Sequence, residues 1–219
     1  MIDSTQNGEG GAVSGIRALV FDLDGTLYVS DEVGRRIDAS ATGHVAAVRG
    51  ISAGEAKVLI RETREKIAAR TGRTASLSHA CLELGIDLRE LHRHFEAEIV
   101  PEPYLQRDER VVELLRRLGE RFELHIYTNN NRTLASRIMG ALGIAGFFRR
   151  VFTIEDSWRP KPDREVLADI FREIGREPSQ CLFVGDRYDI DLRLPLELGC
   201  RVFHTRTVDE LLTMETILA

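Results

Sequence analysis

The chain has 219 residues, enough for one ordinary α/β domain or for a core that carries one sizeable insertion. With 43% hydrophobic and 30% charged residues it can bury a real core, and a net charge of −5 without a basic stripe argues against a nucleic-acid polymer as partner. Its apolar runs, such as residues 16–23 and 181–184, are too short to cross a bilayer, so no membrane partner is expected.

Residues 1–14 are polar and Gly-rich (Gly8, Gly10, Gly11), which predicts a flexible leader with no apolar stretch of the signal-peptide kind. The three cysteines, Cys81, Cys181 and Cys200, are an odd number, far apart and without CxxC spacing. That pattern argues against disulfides and zinc and for a reducing compartment, so a cytoplasmic monomer or small homo-oligomer is expected.

Residues 16–22 (IRALVFD) form a short apolar run that ends in acids and Gly25, the profile of a buried parallel strand followed by a loop. Further strands are predicted at 123–127, 150–154, 180–184 and 201–204. Helical patterns lie between and after them, at 109–119, 133–142, 164–174, 190–198 and 208–217. This alternation implies βαβ crossovers and a parallel sheet covered on both faces. One stretch departs from it. From Asp31 to Arg107 only helical periodicity is found, as where Ala56, Leu59, Ile60, Thr63 and Ile67 share a face. Residues 76–84 and 88–100 continue the theme, with Gly72 and Gly85 as stops. The predicted organisation is a core of residues 15–30 and 108–219 interrupted by a helical domain over 31–107.

Four polar sites follow predicted strands, where parallel sheets form their ligand crevice. In Asp22-Leu23-Asp24-Gly25 two carboxylates alternate at a strand end, either capping a turn or sharing a cation. Thr128-Asn129 offers a hydroxyl and a backbone N–H, read alone as a helix N-cap or as an anion seat. Lys161 sits between Pro160 and Pro162, held in an extended segment, while Asp163 can cap the next helix. Asp186, Asp189 and Asp191 follow the apolar strand at 180–184, and such an all-oxygen group favours Mg²⁺ over zinc. Capping by Asp189 or Asp191 is the plainer account of that cluster.

Taken in order, DLDGTLY, Thr128, Lys161-Pro162 and VGDRYDIDL resemble the haloacid dehalogenase-like (HAD) superfamily over nearly the whole chain. Within it they are similar to the pyrimidine 5′-nucleotidase and phosphoglycolate phosphatase branches. The resemblance implies a Rossmann-like three-layer α/β core with an inserted all-helical C1 cap, and Mg²⁺-dependent hydrolysis of a small phosphorylated metabolite. It assigns Asp22 as nucleophile, Asp24 as acid and base, and Thr128 with the Asn129 N–H as phosphoryl seat. Lys161 balances charge, Asp22, Asp186 and the Asp24 carbonyl ligate the metal, and Asp191 supports that shell or Lys161. A phosphosugar mutase of the same superfamily shares Asp24, and a receiver-like phospho-acceptor shares an Asp, a Thr and a Lys but not the early acids and helical insert. Arg187 and Asp189 depart from the common pattern and are expected to pair with each other. Tyr28, Arg61, Arg64 and Asn130 are candidates to line the site by position. His92 and His94 should face apart, and Trp158 either packs in its loop or touches substrate.

Overall fold

A computed structural model describes residues 15–218, so the leader expected over 1–14 lies outside the described residues. Five parallel strands form one sheet: β1 (Ala18–Phe21), β2 (Glu123–Tyr127), β3 (Arg150–Phe152), β4 (Cys181–Gly185) and β5 (Arg201–His204). Their order is β3-β2-β1-β4-β5, so the chain reverses its direction of travel across the sheet beside β1. In this topology the crevice beyond the carboxyl ends of the central strands is the ligand position.

Side chains alternate across the strands and feed two separate cores. Leu19 and Phe21 of β1, Leu124 and Ile126 of β2, and Leu182 and Val184 of β4 face one side. Ala18, Val20, Cys181 and Phe183 face the other. The first side is covered by α5 (Glu109–Gly119), α6 (Arg132–Leu142) and the short terminal helices α9 (Val208–Leu212) and α10 (Met214–Leu218). The second is covered by α7 (Arg164–Ile174) and by Leu192 and Leu194 at the start of α8 (Arg193–Glu197). This three-layer α/β arrangement is the expected fold class.

Between β1 and α5 come four helices: α1 (Asp31–Arg49), α2 (Ala53–Thr71), α3 (Leu77–Glu83) and α4 (Leu88–Glu98). Each start carries its own cap. Ser30, Ser52, Ser76 and Asp87 accept hydrogen bonds from backbone N–H groups of the first turn, which satisfies donors the helix leaves open. Ser30 also donates to the carbonyl oxygen of Tyr104 (2.9 Å), tying the outgoing chain to the returning one.

Two expected helices are divided. Residues 190–198 begin as a wide π-helical turn, Tyr188–Leu192, before α8, and 208–217 breaks at Thr213 between α9 and α10. β3 ends at Phe152, two residues earlier than expected. No helix among the described residues is long and apolar enough to cross a membrane, and all three cysteines are free and buried.

Candidate active site

β1, β2 and β4 run in register, with Phe21 level with Ile126 on one side and Val184 on the other. Asp22 therefore leaves the sheet between Tyr127 and Gly185, and its N–H donates to the Val184 carbonyl (2.8 Å). Its carboxylate is buried. Lys161, which is 1% exposed, donates to Asp22 Oδ1 (2.5 Å), Asp191 Oδ1 (2.6 Å) and the Tyr127 carbonyl (3.0 Å). All three ammonium protons are thus committed.

The two carboxylates on Lys161 differ in electrostatic character. Burial pushes the Asp22 carboxyl up to about 7, against the pull of Lys161 and reinforced by Asp191 and Asp24. Burial also acts on Asp191, but Lys161 and Arg187 outweigh it and hold Asp191 below the usual carboxylate range. Asp191 Oδ2 further accepts the backbone N–H of Arg187 (3.1 Å). Both its oxygens are in use. The π-helical turn, a common feature of functional sites, swings Asp191 back towards Lys161.

Close approach explains two glycines. A Cβ on Gly25, whose φ is +82°, would lie 2.5 Å from Asp186 Oδ2. A Cβ on Gly185 would lie 2.5 Å from the Asp191 Cβ. The first and fourth motifs therefore touch backbone to side chain. Oxygen atoms of Asp22, Asp186 and Asp191 lie within 4.8 Å of one another, and Asp186 Oδ1 is buried without a hydrogen-bond partner among the described residues. Among the described residues the four carboxyl groups of Asp22, Asp24, Asp186 and Asp191 are faced by two cations, Lys161 and Arg187. An all-oxygen set with one orphaned acceptor fits a hard divalent cation. With Asp191 engaged elsewhere, Asp22 and Asp186 are the carboxylates left for it.

Asp24 stands at the mouth of the site. Tyr28 Oη donates to its Oδ1 (2.5 Å) and Asn130 Nδ2 to its Oδ2 (2.7 Å). Burial raises its carboxyl above the ordinary range although the Tyr28 hydroxyl pulls the other way. Thr128 is buried and its Oγ1 accepts the Asn130 N–H (3.1 Å), while Asn129 Oδ1 accepts the Lys161 N–H (2.8 Å). The helix cap is instead Asn131, whose Oδ1 accepts from Leu134 (2.7 Å), so the N-cap account of Thr128 fails.

Several positional expectations need correction. Arg187 does not pair with Asp189; its guanidinium lies 3.6 Å from Asp186 and 3.7 Å from Asp191. Asp189 Oδ2 turns outward and accepts both the N–H and the hydroxyl of Thr74 (2.9 Å each), joining the α2–α3 loop to the loop after β4. Arg61 pairs with Glu65 and Arg64 with the Ala75 carbonyl, so neither lines the site. Trp158 packs against His92 and under Arg89 of α4. His92 is buried, whereas His94 turns to His44. The residues the sequence reading missed are Asp31, Gly34, Arg35 and Asp38 of α1, which line a cavity of about 520 Å³ with Asp24, Tyr28, Asp186 and Arg187. Their three- and four-residue spacing after the Ser30 cap was the available signal.

The Asp189 contact allows a direct test. In Asp189→Ala the Thr74 amide should exchange roughly fivefold faster, as expected for loss of the hydrogen bond that its own N–H makes, while any divalent-metal binding stays unchanged. A loss of metal affinity would instead make Asp189 an outer supporter of the metal.

A family model for haloacid dehalogenase-like hydrolases matches residues 16–195. Pyrophosphatase PpaX of Bacillus velezensis is 30% identical over 180 residues, which cover 79% of this chain and 76% of the relative. The phosphoglycolate phosphatase of Yersinia pseudotuberculosis is 28% identical over 189 residues, covering 84% and 78%. Among solved structures, the magnesium-bound putative HAD-hydrolase YfnB of Bacillus subtilis superposes with a TM-score of 0.59 at 21% identity, covering 93% of this chain and 98% of the other.

Proposed function

This chain belongs to the haloacid dehalogenase-like hydrolases, and from that membership we propose that it is a Mg²⁺-dependent phosphatase that splits small phosphate monoesters through a phosphorylated Asp22. The observation that carries the reading is the pairing of a buried Asp22, seated on Lys161, with Asp24 two residues on at the mouth of a cavity. The relatives' names, a pyrophosphatase and phosphoglycolate phosphatases, support small phosphorylated substrates.

Asp22 and Asp186, with the Asp24 carbonyl, would hold the metal, which when bound neutralises charge on the phosphoryl group. The remaining steps belong to the chain itself. An Asp22 oxygen bonds to phosphorus as the phosphorus–oxygen bond to the leaving alcohol breaks. Asp24, whose carboxyl burial raises above the ordinary range and which Tyr28 and Asn130 orient, delivers a proton to the departing oxygen. Asp24, now ionised, takes a proton from water as that water attacks phosphorus and frees Asp22. Thr128 and the Asn129 N–H seat the phosphoryl oxygens, and the Lys161 charge favours the ionised Asp22 that attacks. The α1–α4 insert acts as a cap, since the α1 face forms one wall of the cavity that Asp24 opens onto.

Phosphate release with and without Mg²⁺, followed by borohydride reduction of the trapped acyl phosphate, tests the reading. Reduction should convert residue 22 to homoserine. Homoserine elsewhere, or none during steady turnover, would overturn the assignment.

The metal also has a stability signature. Burial raises the Asp22, Asp24 and Asp186 carboxyls above their unfolded values, so without metal these groups disfavour the folded state once ionised. Stability present below about pH 4 is then lost as pH rises through the folded values, near 7 for Asp22. Mg²⁺ binds the ionised forms of Asp22 and Asp186, so it should raise the melting temperature more at pH 8 than at pH 5.5. An equal rise at both would exclude these carboxylates as ligands.

A further inference from the structure

We infer that Arg187 receives a second anionic group on the leaving portion of the substrate, so that the preferred substrates are phosphate esters or anhydrides whose leaving group carries its own carboxylate or phosphate. This rests on the hydrolase reading above and specifies what that site accepts.

The first argument is the state of the guanidinium. It makes no side-chain hydrogen bond among the described residues, because its nearest carboxylate oxygens, Asp186 Oδ1 at 3.6 Å and Asp191 Oδ2 at 3.7 Å, are too distant. Those acids attract it without filling its donors. Its backbone is meanwhile fixed, since the Arg187 N–H donates to Asp191 Oδ2 (3.1 Å). The other cations at the cleft are spent. Lys161 has three short partners, and Arg35 makes two hydrogen bonds to Glu32 Oε2 (3.0 and 2.8 Å).

The second argument is direction. Arg187 lines the 520 Å³ cavity together with Asp24 and Asp186, whereas Asp22, Thr128, Asn129 and Lys161 do not line it. The group that protonates the leaving oxygen and the free guanidinium therefore face the same space, which places Arg187 on the leaving-group side. The other charged walls are Asp24, Asp31, Asp38, Asp186 and the Glu32-paired Arg35. Acidic walls repel an anion everywhere except beside Arg187. A planar guanidinium fork suits a carboxylate or a phosphate, either of which can accept two parallel hydrogen bonds.

Two matched pairs of substrates test this with the full chain and Mg²⁺. In 2-phosphoglycolate and ethyl phosphate a carboxylate is exchanged for a methyl group; pyrophosphate and methyl phosphate form the phosphate pair. For Arg187→Met, kcat/KM should fall at least about 30-fold more for the charged member of one pair than for its uncharged mate, the scale of charge-assisted hydrogen bonds. The pair that carries the difference tells whether the anion is a carboxylate or a phosphate. Arg187→Lys keeps the charge without the fork and should restore part of the ratio, and it replaces the Met variant should that one fail to fold. Equal losses on both members of each pair would overturn the inference and move Arg187 to the metal or the transferring phosphoryl group. No loss at all would also overturn it. A wild-type protein that releases phosphate from none of the four compounds overturns the hydrolase reading itself, and the inference with it.

Discussion

Asp22→Asn should lose at least about a thousandfold in turnover while remaining folded, the scale reached when a catalytic nucleophile is removed. The amide keeps the shape of the side chain but cannot form a bond to phosphorus. Stability should not suffer in the same way. The Asp22 carboxyl is raised to about 7 by burial, so carrying its charge costs the metal-free protein free energy above that pH. A neutral amide avoids that cost, and Lys161 still has Asp191 at 2.6 Å. Without metal, the variant should therefore melt no lower than wild type at pH 8. Turnover near wild type would mean that water attacks phosphorus directly. A collapse in melting temperature would mean that the Asp22–Lys161 pair is chiefly structural.

The two central strands β1 and β4 were legible because they are apolar runs closed by an acid or glycine, a signal that survives without any tertiary knowledge. β2 and β5 have the expected bounds, and β1 and β4 differ from expectation by one or two residues. The π-helical turn at Tyr188–Leu192 was not legible. It holds Asp191 against Lys161, a contact between residues 30 apart in the chain that local spacing does not reveal. Asp189 failed for a related reason. Spacing shows that an acid is present but not which way a wide turn aims it, and only the packed structure brings Thr74 to it. Arg61 and Arg64 illustrate the limit of arguing by position in an insert. They belong to α2, whereas the face that reaches the cavity is the first two turns of α1. The Ser30 cap marks where α1 begins, but the partner face of that helix depends on how four helices stack.

Lys161→Met should damage stability and chemistry together, and the two losses should part company with pH. The side chain is replaced at similar length, but two carboxylates at 2.5 and 2.6 Å lose their shared cation inside a buried site. Removing one partner of a buried ion pair typically costs about 3–5 kcal/mol, because the charge left behind is uncompensated. Asp191 keeps Arg187 nearby, at 3.7 Å, so the burden falls mainly on Asp22. Its carboxyl stands at about 7 even with Lys161 in place, and without that cation it must rise further. A folded value above the unfolded one means stability that is present in acid and lost as pH rises. Urea unfolding of the metal-free variant should accordingly show a deficit against wild type that is small near pH 5 and large near pH 8. Catalysis cannot be recovered in the same way, because the acid that restores the fold protonates the nucleophile. With Mg²⁺ present, kcat/KM should stay depressed across the whole range, through kcat as well as KM, since the lysine charge attracts the bound phosphate and attracts the transition state more strongly. A deficit independent of pH would show that Lys161 contributes packing and not charge, and a defect confined to KM would remove it from the chemical step.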